Sequence, residues 1–206
     1  MKRFWILILL GFFTFNQVNA QNNIIDDISL GFANSDQQTI AKYLGNKVEI
    51  LIMGFVADDD LQWVITNQIE FFVFERYRLS KASKVAKQLN IKAIIHIEIE
   101  TGMNRTGFKI SEISKVAPYL IKEKNTLFFK GLCTHYAGAE SISNYFRVEK
   151  QILEFNKAIT IFSTFELHPI IKHSACSAAS FMFPETRMDL VRIGILQYGL
   201  WPSSEV

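Results

Sequence analysis

Guanidinium, imidazole and hydroxyl side chains gather at four places in this sequence, each at the downstream end of an apolar run. Glu100, Thr101, Asn104 and Arg105 follow Ala93–Ile99, and Thr134, His135 and Tyr136 follow Leu127–Cys133. Lys172, His173, Ser174, Cys176 and Ser177 lie at the end of a third run, and Arg192 with Gly194 at the end of a fourth. These groups can hydrogen-bond a small polar ligand, although a lone Arg or His in such a position is more often a structural hydrogen-bonder. Four of them at equivalent points predict one site, provided that the runs are neighbouring strands ending on one rim. Cys133 and Cys176 are the only cysteines and have no CxxC spacing, so neither a zinc site nor a redox motif is expected. They could pair in an oxidising compartment or remain two free thiols in the interior.

The elements that must position these residues can be read from hydrophobic period. Short apolar or β-branched runs recur at Ile28–Phe32, Glu49–Met53, Glu70–Phe74, Ala93–Ile99, Leu127–Thr134, Ile170–Ala175 and Asp189–Ile193. Between them lie stretches with helical spacing. Leu61, Val64 and Ile65 share a face after Asp58-Asp59-Asp60, a triplet suited to a helix N-terminus. Leu79, Ala82, Val85, Ala86 and Leu89 form another stripe, and the clearest helix runs from Ile142 to about Phe162. Alternating strands and helices predict βαβ units with a parallel sheet buried on both faces. The fold class is therefore α/β, and the strand count is one short of a (β/α)8 TIM-type barrel. A doubly wound sheet also fits the count, but no GxGxxG follows the first run.

Composition narrows the function classes. Of 206 residues, 49% are hydrophobic and 20% charged, far too apolar for a disordered chain and ample for one buried domain. Net charge is +2 and no Lys/Arg stripe is present, so nucleic acid is not an expected partner. Lys2 and Arg3 precede the apolar stretch Phe4–Phe15, followed by Val18-Asn19-Ala20 and Gln21. This pattern predicts a secretory signal peptide over residues 1–20, ahead of a barrel domain over 21–206. The stretch is shorter than the roughly 20 residues that span a bilayer. A buried strand or short helix that opens the fold is the alternative. Export, to a periplasm for example, follows if the signal is genuine, and a cytoplasmic location otherwise.

Four spaced segments carry a family resemblance. HIEIETGMNRTGF (residues 96–108), GLCTHYAGAE (131–140), HSACSAASFMFPE (173–185) and DLVRIGILQYGL (189–200) resemble, in order, the successive signatures of the alanine racemase family. LGFANSDQQTIAKYLGNKVEILIMG (30–54) is similar to the family's second and third strand units. The resemblance implies a pyridoxal phosphate-dependent isomerase with an N-terminal (β/α)8 barrel, acting on an amino acid as a homodimer with shared active sites. It implies that Arg105 donates to the cofactor's phenolic oxygen, as suits a permanent cation. Arg192 would face the pyridine nitrogen, which must then accept because a guanidinium has donors only. That weakens the ring as an electron sink and favours racemisation over side reactions. His135 would lie behind the ring and help to hold Arg192. Ser177, with the backbone N–H groups of Gly194 and Ile195, would bind the phosphate.

The departures from the family pattern are as informative. Glu98 stands where the family usually has a carbamate-modified Lys, so it could replace that negative group by pairing with Arg105, or it could be an ordinary carboxylate on a solvated rim. Cys176 stands where Asn is frequent and Ile193 where Pro is. Nothing matches the family's Lys-Ala-x-x-Tyr-Gly-His-Gly motif, which carries the lysine that binds the cofactor covalently and acts as one base. Lys42, Lys47 and Lys81 are poor substitutes, and Tyr198 belongs to the barrel motif rather than to the domain bearing the second base. With no catalytic residue identified, this chain alone is expected to hold the cofactor without racemising alanine. A broad-specificity exported racemase as the parent and a non-catalytic cofactor-binding remnant are the alternatives. A barrel short of a strand would also leave unpaired edges, so poor solubility is expected.

Overall fold

The computed structural model describes residues 49–205. The signal-like start, the run Ile28–Phe32, Lys42 and Lys47 lie outside them. Five strands follow one another across a single sheet in sequence order: β1 Leu51–Ile52, β2 Glu70–Val73, β3 Ala93–Glu98, β4 Leu127–Cys133 and β5 Ile171–His173. Every adjacent pair is parallel. Parallel neighbours need crossovers, and helices provide them: α1 Leu61–Thr66, α2 Arg76–Leu89, α3 Ile113–Lys122 and α4 Tyr145–Thr164, with a short α5 at Ser177–Met182. A strand order without reversal is that of a barrel wall. A doubly wound sheet reverses order at a switch point.

Alternation along each strand divides the sheet into two faces. Phe71, Val73, Ile95, Ile97 and Leu132 pack outward against Leu61, Val64 and Ile65 of α1, Leu79, Ala82 and Ala86 of α2, Val116 and Leu120 of α3, and Phe155 and Phe162 of α4. The helical stripes read from the sequence are thus the faces that bury. The acidic triplet works differently from expectation. Asp60 is the N-cap of α1 but makes no side-chain cap bond, and Asp58 instead ties to α2. Asp58 accepts from Tyr77 Oη at 2.6 Å and pairs with Arg78 at 2.8 Å and Lys81 at 3.0 Å. The helix expected from Ile142 opens with a 3-10 turn, Ile142–Asn144, before α4 proper.

Two departures from regular pairing shape the interior. Between β3 and β4, Ile95 faces Phe129 while His96 faces Gly131, which leaves Lys130 as the extra residue of a β-bulge. The second is a correction: Asp189–Ile193 is not a strand. A 3-10 turn at Pro184–Arg187 and a positive φ of 37° at Met188 bring the chain back at an angle. It meets β5 and the residues after it through two backbone bonds, Asp189 N–H to Lys172 O and Arg192 N–H to Ala175 O, each 3.0 Å. The Asp189 carboxylate accepts the Lys172 N–H at 2.8 Å, in place of a backbone carbonyl.

Candidate active site

The inner face of the sheet is polar. Glu70, His96, Glu98 and His173 all point inward and are buried, and a small apolar group of Leu51, Phe72 and Cys133 packs beside them. The Phe72 ring lies 6.3 Å from that of His96 and 5.7 Å from that of His173. Buried polar groups of this kind are costly unless bonded, and here they bond in series. Lys130 Nζ donates to both Glu70 Oε1 and Glu49 Oε2. Glu70 Oε2 lies 2.7 Å from His96 Nε2, and His96 Nδ1 lies 2.8 Å from His173 Nε2. His173 Nδ1 lies 2.6 Å from Arg192 Nη1.

The series crosses the middle strand because of a glycine. β4 lies between β3 and β5, and a Cβ at Gly131 would overlap the ring of His96. Only a residue without a side chain lets His96 and His173 meet over it. Electrostatics follow from the same packing. Burial raises the Glu70 carboxyl, but hydrogen bonds from His96 and Lys130 outweigh it and hold the group below its ordinary range. Burial pushes His96 down and His173 well down, with the Arg192 charge acting in the same direction on both. Burial thus favours the neutral form of both imidazoles.

Arg192 ends the series and is bonded on nearly every side. Nη1 donates to His173 Nδ1 and to His173 O at 3.0 Å, while Nη2 donates to Thr134 O at 2.6 Å and Ser174 O at 3.0 Å. These four contacts use both Nη groups fully, since a guanidinium has five N–H bonds. Among the described residues, Nε–H is the donor with no acceptor. The expected assistant of Arg192 is thus corrected: His173 holds it, and no hydrogen bond joins His135 to it among the described residues. His135 is partly buried, and burial, aided by the Arg192 and Arg105 charges, lowers it to about 4.

The other residues singled out in the sequence fall around the same rim. Thr101 and Thr134 fasten the ends of β3 and β4 through a hydroxyl–hydroxyl bond of 2.8 Å, and Thr134 Oγ1 also donates to Ile99 O. Buried Gln151 of α4 pins the segment after His135 by bonding Ala137 N–H and O at 3.0 and 3.2 Å. Glu98 is buried, and that burial raises its carboxyl against a hydrogen bond from Thr106 and the charges of Arg105 and Arg192. No ion pair joins Glu98 to Arg105 among the described residues. Arg105 is exposed, and its backbone N–H donates to Glu100 at 3.3 Å. Ser177 is buried and its Oγ accepts the Gly194 N–H at 2.9 Å, so the structure brings these two together. Ile195 opens an exposed 3-10 turn that also contains Tyr198. Both cysteines are free thiols, Cys133 buried and Cys176 partly so. Lys81 sits on α2, paired with Asp58.

Sequence reasoning did not single out Glu70, Lys130, His96 or Gly131. The available signal was a set of charged or histidine residues at inward positions of strands read as buried, which an apolar run does not require.

The donor set suits pyridoxal phosphate. Arg192 Nε–H fits a ring nitrogen that can only accept, exposed Arg105 is free to meet an oxyanion, and Ser177 with the turn at Gly194 offers groups suited to a phosphate. Comparison with known proteins points the same way. Residues 30–202 match the family described as alanine racemase, N-terminal domain. The chain is similar to the alanine racemase of Desulfovibrio desulfuricans, 31% identical over 176 residues that cover 85% of this chain and 47% of that protein. It is similarly related to the alanine racemase of Methanococcus maripaludis, 30% identical over 86% of this chain and 47% of the relative. It thus spans about half the length of these relatives. A solved alanine racemase from Clostridium difficile, in complex with cycloserine, superposes with a TM-score of 0.71 at 30% identity, covering 79% of this chain and 44% of that one. The alanine racemase of Streptomyces lavendulae shares the fold, with a TM-score of 0.75 at 22% identity over 83% of this chain and 46% of that one. The five-stranded arc is accordingly an incomplete barrel of the TIM type, and the chain belongs to the alanine racemase family through its N-terminal domain.

Proposed function

We propose that this chain forms the cofactor-holding part of a pyridoxal phosphate-dependent alanine racemase. The observation that carries the reading is Arg192, fixed through both Nη groups, with Nε–H the donor that meets no acceptor among the described residues. When bound, pyridoxal phosphate supplies a π-system that acidifies the Cα–H of an amino acid attached to it. Arg192 would orient the ring by donating to its nitrogen, and its permanent charge would keep that nitrogen unprotonated. Arg105 would donate to the phenolic oxygen, while Ser177, whose Oγ already accepts the Gly194 N–H, and the amide of Ile195 would receive the phosphate. His135, which burial and the Arg192 and Arg105 charges lower to about 4, adds no further positive charge near them at neutral pH. The amino-acid substrate, and a homodimer with shared sites, belong to the same proposal for the whole protein.

Racemisation requires a proton to leave one face of Cα and return to the other, so two positioned acid/base groups are needed. No residue of this sequence matches either family base. The reading for this chain is therefore cofactor binding, with turnover belonging to the proposal for the whole protein. Titration of the full chain with pyridoxal phosphate, followed by absorbance, should show saturable uptake and no D-alanine formation. Arg192→Gln should weaken uptake about tenfold or more, the scale of a lost charge-assisted hydrogen bond. Absence of uptake by the unmodified chain would overturn the reading.

Glu98 extends the proposal as the built-in negative group that steadies Arg105 once the phenolic oxygen is in place. Glu98→Gln should then lower cofactor affinity and shift the bound spectrum, and an unchanged spectrum would remove that role. Lys2 and Arg3 ahead of the apolar Phe4–Phe15 favour a second element of the reading, export of the whole protein. N-terminal sequencing of the mature product should then begin at Gln21.

A further inference from the structure

The series from Lys130 to Arg192 has a direction, set from both ends. Arg192 can only donate, so His173 Nδ1 must accept. A neutral His173 then carries its proton on Nε2 and donates to His96 Nδ1. His96 carries its proton on Nε2 in turn and donates to Glu70 Oε2. At the far end Lys130 also can only donate, and a carboxylate accepts from both sides. Arg192, His173 and His96 thus all point their protons towards Glu70, with Lys130 meeting it from the other side. The arrangement is self-consistent only because Glu70 is an acceptor at both oxygens.

We propose that Glu70, held by Lys130, is a positioning residue for Arg192: it fixes the proton of each buried histidine on Nε2 and so keeps His173 Nδ1 as the acceptor that aims the guanidinium. The geometry carries this without any contact between Glu70 and a ligand. Lys130 is brought to Glu70 by the β-bulge that removes it from the ladder, and Gly131 beside it clears the space where the two histidines meet. The same few residues of β4 thus provide both the anchor and the passage. Burial and the neighbouring Arg192 charge favour neutral rings, in agreement with the assignment. The inference rests on the reading of Arg192 as the ring-nitrogen donor only for its effect on the cofactor; the proton placement stands apart from it.

A glutamine at position 70 makes a specific test. Its amide must offer the carbonyl oxygen to Lys130, which leaves the NH2 group facing His96 Nε2. His96 then has to accept there and carry its proton on Nδ1, so two donors confront each other somewhere between His96 and Arg192. Removing the lysine as well, in Glu70→Gln with Lys130→Met, lets the amide turn round and restores the original direction.

The sequence has 4 histidines, so long-range 1H–15N spectra of the 15N-histidine-labelled full chain can be assigned with single-residue variants. Nε2–H tautomers are expected at His96 and His173 in the unmodified protein, Nδ1–H at His96 in Glu70→Gln, and Nε2–H again in the double variant. Pyridoxal phosphate affinity should fall about tenfold in Glu70→Gln and recover to within about threefold in the double variant. An Nδ1–H tautomer at either ring of the unmodified chain overturns the proposal. So does a Glu70→Gln spectrum and affinity like those of the unmodified chain. If Glu70→Gln does not fold, the unmodified spectrum and the double variant decide. If the unmodified chain takes up no pyridoxal phosphate, the functional reading fails while the tautomers still decide the role of Glu70.

Discussion

Arg192 shows how much of a functional residue's behaviour is set by what lies behind it. Its charge lowers His135 and His173 and pulls on Glu98, and its position depends on carbonyls of Thr134, His173 and Ser174. A pH dependence follows. His135 falls from its ordinary 6.5 to about 4, and His96 and His173 also fall. Between pH 6.5 and 4 the unfolded chain binds a proton on His135 that the folded chain does not, and the lowered His96 and His173 act in the same direction, so stability rises with pH and is lost on acidification. For His135 alone the loss is about 3 kcal/mol, and His135→Asn should flatten that part of the profile in urea titrations across the range. Arg192, Ser177, His135 and Arg105 could be grouped from the sequence because their family motifs sit at strand ends. The partnership was not legible. His135 and His173 both lie near strand ends, and only the direction of the side chain decides which ring reaches Arg192.

At the scale of elements, β4 carries the most consequence. Its bulge turns Lys130 inward, and its glycine keeps the inner face open where β3 and β5 exchange a hydrogen bond. Gly131→Ala should separate His96 from His173 and destabilise the chain by about 1–3 kcal/mol, in line with overpacking of a buried site. Thermal melts with and without pyridoxal phosphate would measure it, and an unchanged melt would argue against the crowding. Strands and helices were mostly readable, because outward positions of the strands and one face of each helix are apolar at the right period. The bulge was not, since Leu127–Cys133 reads as one continuous strand. Asp189–Ile193 has the apolar content of a strand, but the turn at Pro184–Arg187 and the left-handed Met188 deliver it at an angle that permits only two backbone bonds.

Taken whole, residues 49–205 form an arc of five strands, each bonded to its sequence neighbour. The barrel architecture was legible because βαβ alternation leaves few topologies. An arc that does not close on itself among the described residues leaves N–H and C=O groups at its two sides, which promote association. Expressed as residues 21–206 alone, the chain should bind a hydrophobic dye and melt over a broad range; a sharp transition from a monodisperse sample would contradict this. The line of bonds through the interior also sets an order of events during synthesis. Glu70 and His96 leave the ribosome long before His173 and Arg192, so the early half of the arc emerges with its inward polar groups lacking their final partners. Nascent chains stalled before residue 173 should therefore be more protease-sensitive around Glu70 and His96 than chains in which Arg192 has cleared the exit tunnel. The residue read as the cofactor's holder is in this sense also the latch that ends folding.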